Sequence, residues 1–363
     1  MQTSSTFSTR CAPDPAGAAG TASCACLDAT GGQAFSLSPS AGRAPSAPLN
    51  LNPNLNLNPA SPSRGLLLIV DGHCYAYRAF YGIAASLTSP SGQPTNAIYG
   101  FIRMLGKIQA RLQPSHTVVV WDGGLAAERM TLLPEYKAQR AEMPAGMVPQ
   151  LDQMVEYLRA AGICSLRKDG CEADDGIAAL ATQAAAAGLT VVIASSDKDF
   201  MQLVSDAIKL LVPQDKTENL WDADQVKQKT GVAPAQIVDW LSLVGDSSDN
   251  IPGVPGIGPK NAAELLGQFG AVEAVYARLP EVKSERLRTR LQAAKETVRR
   301  NQQLIRLRDS LPCDLRVEDM AVRQGNAEEL RRLYSGWGFK NLLQTMKNQG
   351  QSDDLFHEHG QVQ

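Results

Sequence analysis

Short apolar runs rich in β-branched residues alternate along this chain with longer amphipathic stretches. Leu66-Leu67-Leu68-Ile69-Val70 stops at Asp71, and Val118-Val119-Val120-Trp121 stops at Asp122. Val191-Val192-Ile193-Ala194 leads through two serines to Asp197 and Asp199. Such runs, apolar without alternation, read as strands buried on both faces, the pattern of a parallel sheet covered by helices. Covering helices are expected over Ala97–Leu112, Val148–Ala161 and Glu172–Ala187, the last ended by Gly188. Further on, Asn261–Phe269 and Ala271–Ala277 read as short helices after a glycine-rich turn, and Ser284–Arg308 as a basic helix or helix pair. The expected class is α/β, with a mainly parallel central sheet flanked by helices.

All strands of such a sheet end at one edge, where α/β proteins place their ligands. The strand-end acids Asp71, Asp122, Asp197 and Asp199 would converge there. Two further acidic groups lie nearby in sequence, Glu172-Ala173-Asp174-Asp175 and Gly245-Asp246-Ser247-Ser248-Asp249-Asn250. On a helix Glu172 and Asp175 share a face, with Asp174 beside them. Two carboxylates about 4 Å apart repel by roughly 4 kcal/mol at an effective dielectric near 20. A cluster of them calls for a cation or for protonation. Hard oxygen donors without His or Cys favour magnesium or manganese over zinc. Two such ions could clamp the attacking and leaving oxygens of a phosphodiester. The plain alternative is a solvated acidic surface with capping aspartates.

The turn Gly253-Val254-Pro255-Gly256-Ile257-Gly258-Pro259-Lys260 opens a helix, so its backbone N–H groups could meet a phosphate. The plain alternative is a connecting turn. Arg129, Lys137 and Arg140 would line one face if their segment is helical, and Tyr136 could stack on a base. Charges on a helix are more commonly a solvated face.

Composition changes the picture in two places. The 363 residues, 44% hydrophobic, suffice for one large domain or two small ones, and no apolar run of membrane-spanning length occurs. Net charge is −2, which taken alone argues against a nucleic-acid binder. Setting the nine clustered acids aside leaves a basic remainder. The scattered, odd set Cys11, Cys24, Cys26, Cys74, Cys164, Cys171 and Cys313 suggests a reducing compartment and no structural zinc. Residues 1–64 read as a low-complexity tail, with the near-repeat Leu49-Asn50-Leu51-Asn52-Pro53-Asn54-Leu55-Asn56-Leu57-Asn58-Pro59. An organelle transit peptide is the alternative.

One set of motifs resembles the 5′-nuclease family, that of bacterial flap endonucleases and the 5′→3′ exonuclease domain of DNA polymerase I. It comprises Asp71-Gly72 with Tyr77-Arg78-Ala79-Phe80, Pro134-Glu135-Tyr136-Lys137 with Arg140, Glu172-Ala173-Asp174-Asp175, Ser196-Asp197-Lys198-Asp199, and Gly245-Asp246 with Asp249-Asn250-Ile251-Pro252-Gly253. The resemblance covers about residues 65–345 and implies a PIN-like sheet with a helical arch over 125–147. It also implies a C-terminal helix–hairpin–helix (helix–three-turn–helix) region for DNA binding. The domains expected are a tail over 1–64, a nuclease domain over 65–235, the helix–hairpin–helix region over 236–345 and a flexible tail over 346–363. Asp71, Asp122, Glu172 and Asp174 would hold one Mg2+. Asp174, Asp197, Asp199 and Asp249 would hold a second, with Asp175 and Asp246 close by and Mn2+ able to substitute. Lys137, Arg140 and Arg78 would act on the scissile phosphate. Arg129, Tyr136, Gly253, Gly256, Gly258 and Lys260 would bind DNA, with K+ at the turn in the family manner. The sequence departs from the family pattern at Glu128, Leu133 and Gly124, where an aromatic, a tyrosine and a nearby lysine are usual.

The implied activity is two-metal hydrolysis of DNA near flaps, nicks and 5′ ends, with RNA primers as further substrates, by a monomer without a membrane partner. No polymerase or proofreading domain fits after residue 345, so a stand-alone nuclease is expected. A non-catalytic DNA-junction binder of the same fold, an RNA nuclease and a phosphate-binding regulatory protein are the competing readings. The tail segment Gln351-Ser352-Asp353-Asp354-Leu355-Phe356 resembles a sliding-clamp docking peptide, anchored by Gln351, Leu355 and Phe356. The plain alternative is a chance match. The expected location is the bacterial cytoplasm at the nucleoid, with organellar import through residues 1–64 as the alternative.

Overall fold

A computed structural model describes residues 65–213, 219–312 and 315–348. The chain begins with β1 (Leu66–Asp71), α1 (Gly72–Gly82), α2 (Asn96–Leu112), β2 (His116–Trp121), α3 (Ala127–Leu132), α4 (Val148–Ala160) and β3 (Cys164–Arg167). It continues through α5 (Ala173–Ala186), β4 (Thr190–Ala194), a 3-10 turn (Lys198–Leu203), β5 (Ile208–Leu211) and β6 (Leu220–Trp221). The sheet order is β3-β2-β1-β4-β5-β6, parallel except for β6. From β1 the chain builds outward through β2 and β3 on one side, then through β4, β5 and β6 on the other. The crevice between β1 and β4 is therefore a topological switch point, where an open α/β sheet binds its ligand.

Period-two alternation divides the strands between two cores. Leu67, Ile69, Val118, Val191 and Ile193 pack with Ile177 and Leu180 of α5. Leu68, Val70, Val119 and Val192 pack with Phe101 and Leu105 of α2. Leu67, Leu68, Ile69 and Val70 have no solvent exposure. Each such side chain contributes about 1.5–3 kcal/mol on burial.

The C-terminal half comprises α6 (Ala223–Thr230), α7 (Ile237–Val244), β7 (Gly245–Asp246), β8 (Ile251–Pro252), α8 (Pro259–Phe269), α9 (Val272–Ala277), α10 (Glu285–Ala293), α11 (Lys295–Ile305) and α12 (Ala327–Trp337). A further helical stretch runs over 340–348. Leu241, Leu266 and Val298 join the α5-side core, which thus continues from the sheet into α7, α8 and α11. Leu333, Tyr334, Trp337 and Phe339 return to the opposite core, where the Phe339 ring lies 5.1 Å from Tyr99 and the Tyr334 ring 6.4 Å from Tyr157. Among the described residues no helix is long and apolar enough to cross a membrane.

The expected helices over 97–112, 148–161, 172–187 and 261–277 fall within a few residues of α2, α4, α5, α8 and α9, and 284–308 is a pair, α10 and α11. The arch requires a correction. Only α3 is helical in it. Residues 134–139 form turns, and Lys137 takes a left-handed backbone, φ 56°. A side chain with β-carbon in that region interrupts a right-handed helix. Residues 1–64, Gln351, Leu355 and Phe356 lie outside the described residues.

Candidate metal centre

Each strand that borders the switch point delivers an acid to it. Asp71 ends β1 and caps α1, its Oδ1 accepting from the Cys74 N–H at 3.0 Å and its Oδ2 from the Ser195 hydroxyl at 2.8 Å. Ser195 follows β4 and also accepts from the Asp197 N–H at 3.1 Å. One hydroxyl therefore sets the spacing of two strand-end acids. Asp122 follows β2. Its N–H donates to His73 Nδ1 at 3.1 Å, and its Oδ1 accepts from the Gly124 N–H at 2.7 Å. Asp197 caps the 3-10 turn that carries Asp199, accepting from the Asp199 N–H at 2.9 Å.

Two elements complete the pit. Glu172 caps α5 in an extended conformation, with Asp174 on the first turn, and the β7–β8 hairpin supplies Asp246 and Asp249. Oxygens of Asp199, Asp246 and Asp249 come within 4.8 Å of one another. Asp199 Oδ1 is buried without a hydrogen-bond partner. A buried acceptor left over beside two further carboxylates is what an oxygen-coordinated cation requires, and the cluster contains no His or Cys. Burial first, then the neighbouring acids, pushes Asp174 and Asp199 well above the usual carboxylate range. Burial and the Asp249, Asp246 and Asp71 charges raise Asp197 to about 6, although the Asp199 N–H pulls the other way. Burial also raises Asp71.

The side chains that balance this charge come from the arch and from the 3-10 turn. Lys137, 5% exposed, places Nζ 2.5 Å from Glu172 Oε2 and 3.7 Å from both Asp174 Oδ2 and Asp249 Oδ2. Its backbone N–H donates to the Asp249 carbonyl at 3.0 Å. Burial opposes its charge, but the three carboxylates outweigh that and hold the ammonium above its ordinary range. Arg140 Nη2 lies 2.7 Å from Asp249 Oδ1, and Lys198 Nζ 2.9 Å from Asp246 Oδ1. The Tyr136 hydroxyl lies 3.0 Å from Glu172 Oε2 and 3.2 Å from Asp249 Oδ2 and shares its one proton between them.

These placements correct three sequence-based expectations. Tyr136, 3% exposed, offers no face for a base to stack on. Arg129, 6% exposed, is not on a DNA-facing surface: it donates to both oxygens of Asp175, which outranks solvent as a partner for a buried guanidinium. Asp175 does not share the pit with Glu172, because its carboxylate turns to Arg129 and Arg308. Arg308 and Lys198 were not singled out from the sequence. Lys198 could have been, from its place between Asp197 and Asp199, but Arg308 meets Asp175 across 133 positions with no local signal.

The remaining expected residues lie outside the pit. Arg78 is exposed on α1. Gly253 has the Val244 carbonyl where a β-carbon would sit, 2.1 Å away, so the β7–β8 hairpin can close only on glycine there. Gly256 (φ 78°) turns the chain over the Arg290 guanidinium. Gly258 caps α8, and Lys260 is exposed on its first turn. Glu128, one of the departures from the family pattern, pairs with Arg308 at 2.5 Å, and Leu133, another, is buried in the core.

Comparison with known proteins matches this architecture. Residues 66–231 fit the model of the 5′-3′ exonuclease N-terminal resolvase-like domain, and residues 232–328 that of the 5′-3′ exonuclease C-terminal SAM fold. The chain is 36% identical to the 5′-3′ exonuclease of Aquifex aeolicus over 277 residues, 76% of this chain and 93% of the relative. It is 36% identical to DNA polymerase I of Bacillus caldotenax over 290 residues, 79% of this chain but only 33% of that protein, so it spans about a third of that relative's length. The T5 D15 protein, crystallised with metal ions, superposes with a TM-score of 0.54 at 25% identity, covering 67% of this chain and 90% of its own. With both domain matches in sequence order and a relative matched over 93% of its length, the chain belongs to the 5′-3′ exonuclease family of nucleases.

Proposed function

We propose that this protein hydrolyses DNA phosphodiesters near free 5′ ends, as a structure-selective 5′→3′ exonuclease and flap endonuclease that leaves 5′-phosphates. The observation that carries the reading is the acid cluster of the 3-10 turn and the β7–β8 hairpin, where oxygens of Asp199, Asp246 and Asp249 come within 4.8 Å of one another and Asp199 Oδ1 is left without a partner. Its all-carboxylate donor set suits Mg2+, with Mn2+ substituting. Asp71, Asp122, Glu172 and Asp174 would hold one ion. Asp174, Asp197, Asp199 and Asp249 would hold the other, with Asp246 adjoining. When bound, such ions supply an activated water and neutralise charge on the phosphate. Ser195 fixes Asp71 relative to Asp197, and Tyr136 fixes Glu172 relative to Asp249. Lys137 and Arg140 are the arch cations beside the scissile position, and release of their carboxylates frees them for phosphate oxygens. Gly253, Gly256, Gly258 and Lys260 present the backbone-gripping turn, with K+ there in the family manner, and Arg78 offers a further phosphate contact.

The same reading makes the protein a monomer of the bacterial cytoplasm that also accepts RNA primers and reaches the sliding clamp through Gln351, Leu355 and Phe356. The test is one gel comparing a 5′-flap, a nicked duplex and an RNA–DNA primer substrate, with and without Mg2+, beside Asp197→Asn. Binding without Mg2+-dependent cleavage would assign a junction binder instead, and cleavage of RNA alone an RNA nuclease. Clamp affinity unchanged by Leu355→Ala and Phe356→Ala would end the clamp proposal.

A further inference from the structure

We propose that Asp175 is a positioning residue and not a metal ligand: with Arg129 and Arg308 it forms a buried clamp that holds Glu172 in register with the pit and joins it to the C-terminal helices. The inference rests on the metal-pit reading above.

Asp175 has no solvent exposure, and both its oxygens are fully engaged. Oδ1 accepts from Arg129 Nη2 at 2.8 Å and from the Arg308 backbone N–H at 3.0 Å. Oδ2 accepts from Arg129 Nη1 and Arg308 Nε, each at 2.8 Å. A carboxylate has about four lone-pair sites, and these four donors fill them. Glu172 also meets four, but one is Lys137, which faces the pit acids Asp174 and Asp249 and can be exchanged for a cation. The donors to Asp175 are instead two arginines tied to backbone, Arg129 by the Leu304 carbonyl and Arg308 by its own N–H. Burial alone would raise its pKa, but the two arginines outweigh burial and hold the carboxyl below its ordinary value. The other first-turn acid of α5, Asp174, behaves oppositely: Lys137 approaches it, and burial and then the neighbouring acids raise it. Successive helical residues point about 100° apart, so one helix turn supplies a pit acid and a clamp acid side by side.

Arg129 transmits the clamp. Its Nη1 also lies 3.1 Å from Glu172 Oε1, which accepts in addition from the Ala126 N–H at 3.1 Å. With Oε1 held from that side, Oε2 is the oxygen that meets Tyr136 and Lys137. Arg129 Nε donates to the Leu304 carbonyl at 2.9 Å, at the C-terminal end of α11. The same helix is bonded to β8 through Asn301 Nδ2 and the Pro252 carbonyl, 2.7 Å apart. The glycine turn and Glu172 are thus linked through α11, Arg129 and Asp175.

The test measures Mn2+ stoichiometry by electron paramagnetic resonance, together with steady-state cleavage of a 5′-flap, for the full-length protein, Asp175→Asn, Asp197→Asn and Arg129→Lys. Asp175→Asn should bind as many Mn2+ ions as wild type, while kcat falls about 10–100-fold, the usual effect of losing an outer partner of a ligand, and KM stays within about twofold. Arg129→Lys, which keeps the charge but cannot fork between Glu172, Asp175 and the α11 carbonyl, should behave alike and decides the matter if Asp175→Asn does not fold. Loss of an ion in Asp175→Asn, as in Asp197→Asn, would overturn the proposal, as would wild-type kcat in Arg129→Lys. Failure of the metal-pit reading gives a different signature, equal Mn2+ binding by wild type and Asp197→Asn.

Discussion

Replacing Lys137 by methionine tests whether the lysine and the divalent ions serve the same carboxylates. Methionine keeps the length of the aliphatic stem and removes the charge. In the structure the ammonium lies 2.5 Å from Glu172 and 3.7 Å from Asp174 and Asp249. At an effective dielectric near 20, the shortest contact is worth about 6–7 kcal/mol and each of the others about 4–5. Desolvation of a buried ammonium cancels much of that sum, and removing one partner of a buried pair costs about 3–5 kcal/mol net. Followed by thermal denaturation in EDTA, Lys137→Met should therefore melt roughly 6–15 °C below wild type. In saturating Mg2+ the deficit should shrink to less than half, because the ion takes over the carboxylates the lysine leaves. By the same cycle the variant should gain more stability from Mg2+ than wild type does. An equal deficit in EDTA and Mg2+ would refute the reasoning, since the lysine would then be stabilising something other than the metal-binding acids.

Asp197→Asn should lower cleavage by at least about a hundredfold, more than the loss of an outer partner, with affinity for a 5′-flap in Ca2+ nearly unchanged by filter binding; normal turnover would remove Asp197 from the ligand set. A carboxyl raised from 3.8 to about 6 destabilises the ionised fold by about 3 kcal/mol. The contribution of its protonated form is complete below 3.8 and lost as pH rises through about 6, so in EDTA wild type should gain stability on acidification from pH about 7 to about 5. His73, lowered by burial, acts in the opposite sense below its ordinary 6.5, so Asp197→Asn serves as the reference and should show a flatter pH profile in urea denaturation. Gly253→Ala drives a β-carbon onto the Val244 carbonyl and should cost about 1–3 kcal/mol and weaken duplex binding; unchanged binding would separate the turn from the DNA grip.

Much of the sheet and its acids was legible because strands buried on both faces write themselves as unbroken apolar runs. β1, β2 and β4 follow this rule, and each brings its acid to the edge. β3 does not: Cys164–Arg167 is a half-exposed edge strand without such a run. The arch misled for a different reason. Its local pattern is compatible with a helix, but its conformation is set by Asp249, more than a hundred positions away from Tyr136 and Arg140. Asp174 and Asp175 are indistinguishable in sequence, and only the approach of Arg129 and Arg308 separates the pit acid from the clamp acid. Spacing reveals which residues share an element, whereas long-range ion pairs decide which way a carboxylate turns.

The return of the chain over the α2-side core has a consequence for the order in which the protein is made. Leu68 and Val70 are among the first described residues to leave the ribosome, and the side chains that finish their core, Leu333, Tyr334, Trp337 and Phe339, are among the last. Through most of synthesis α2 and α4 must stand without that cover, presenting Tyr99 and Tyr157 to a chaperone or to each other. The sheet face opposite α5 is finished only when α12 and Phe339 have been made, so the acid pit is assembled on a scaffold whose two sides are completed at different times.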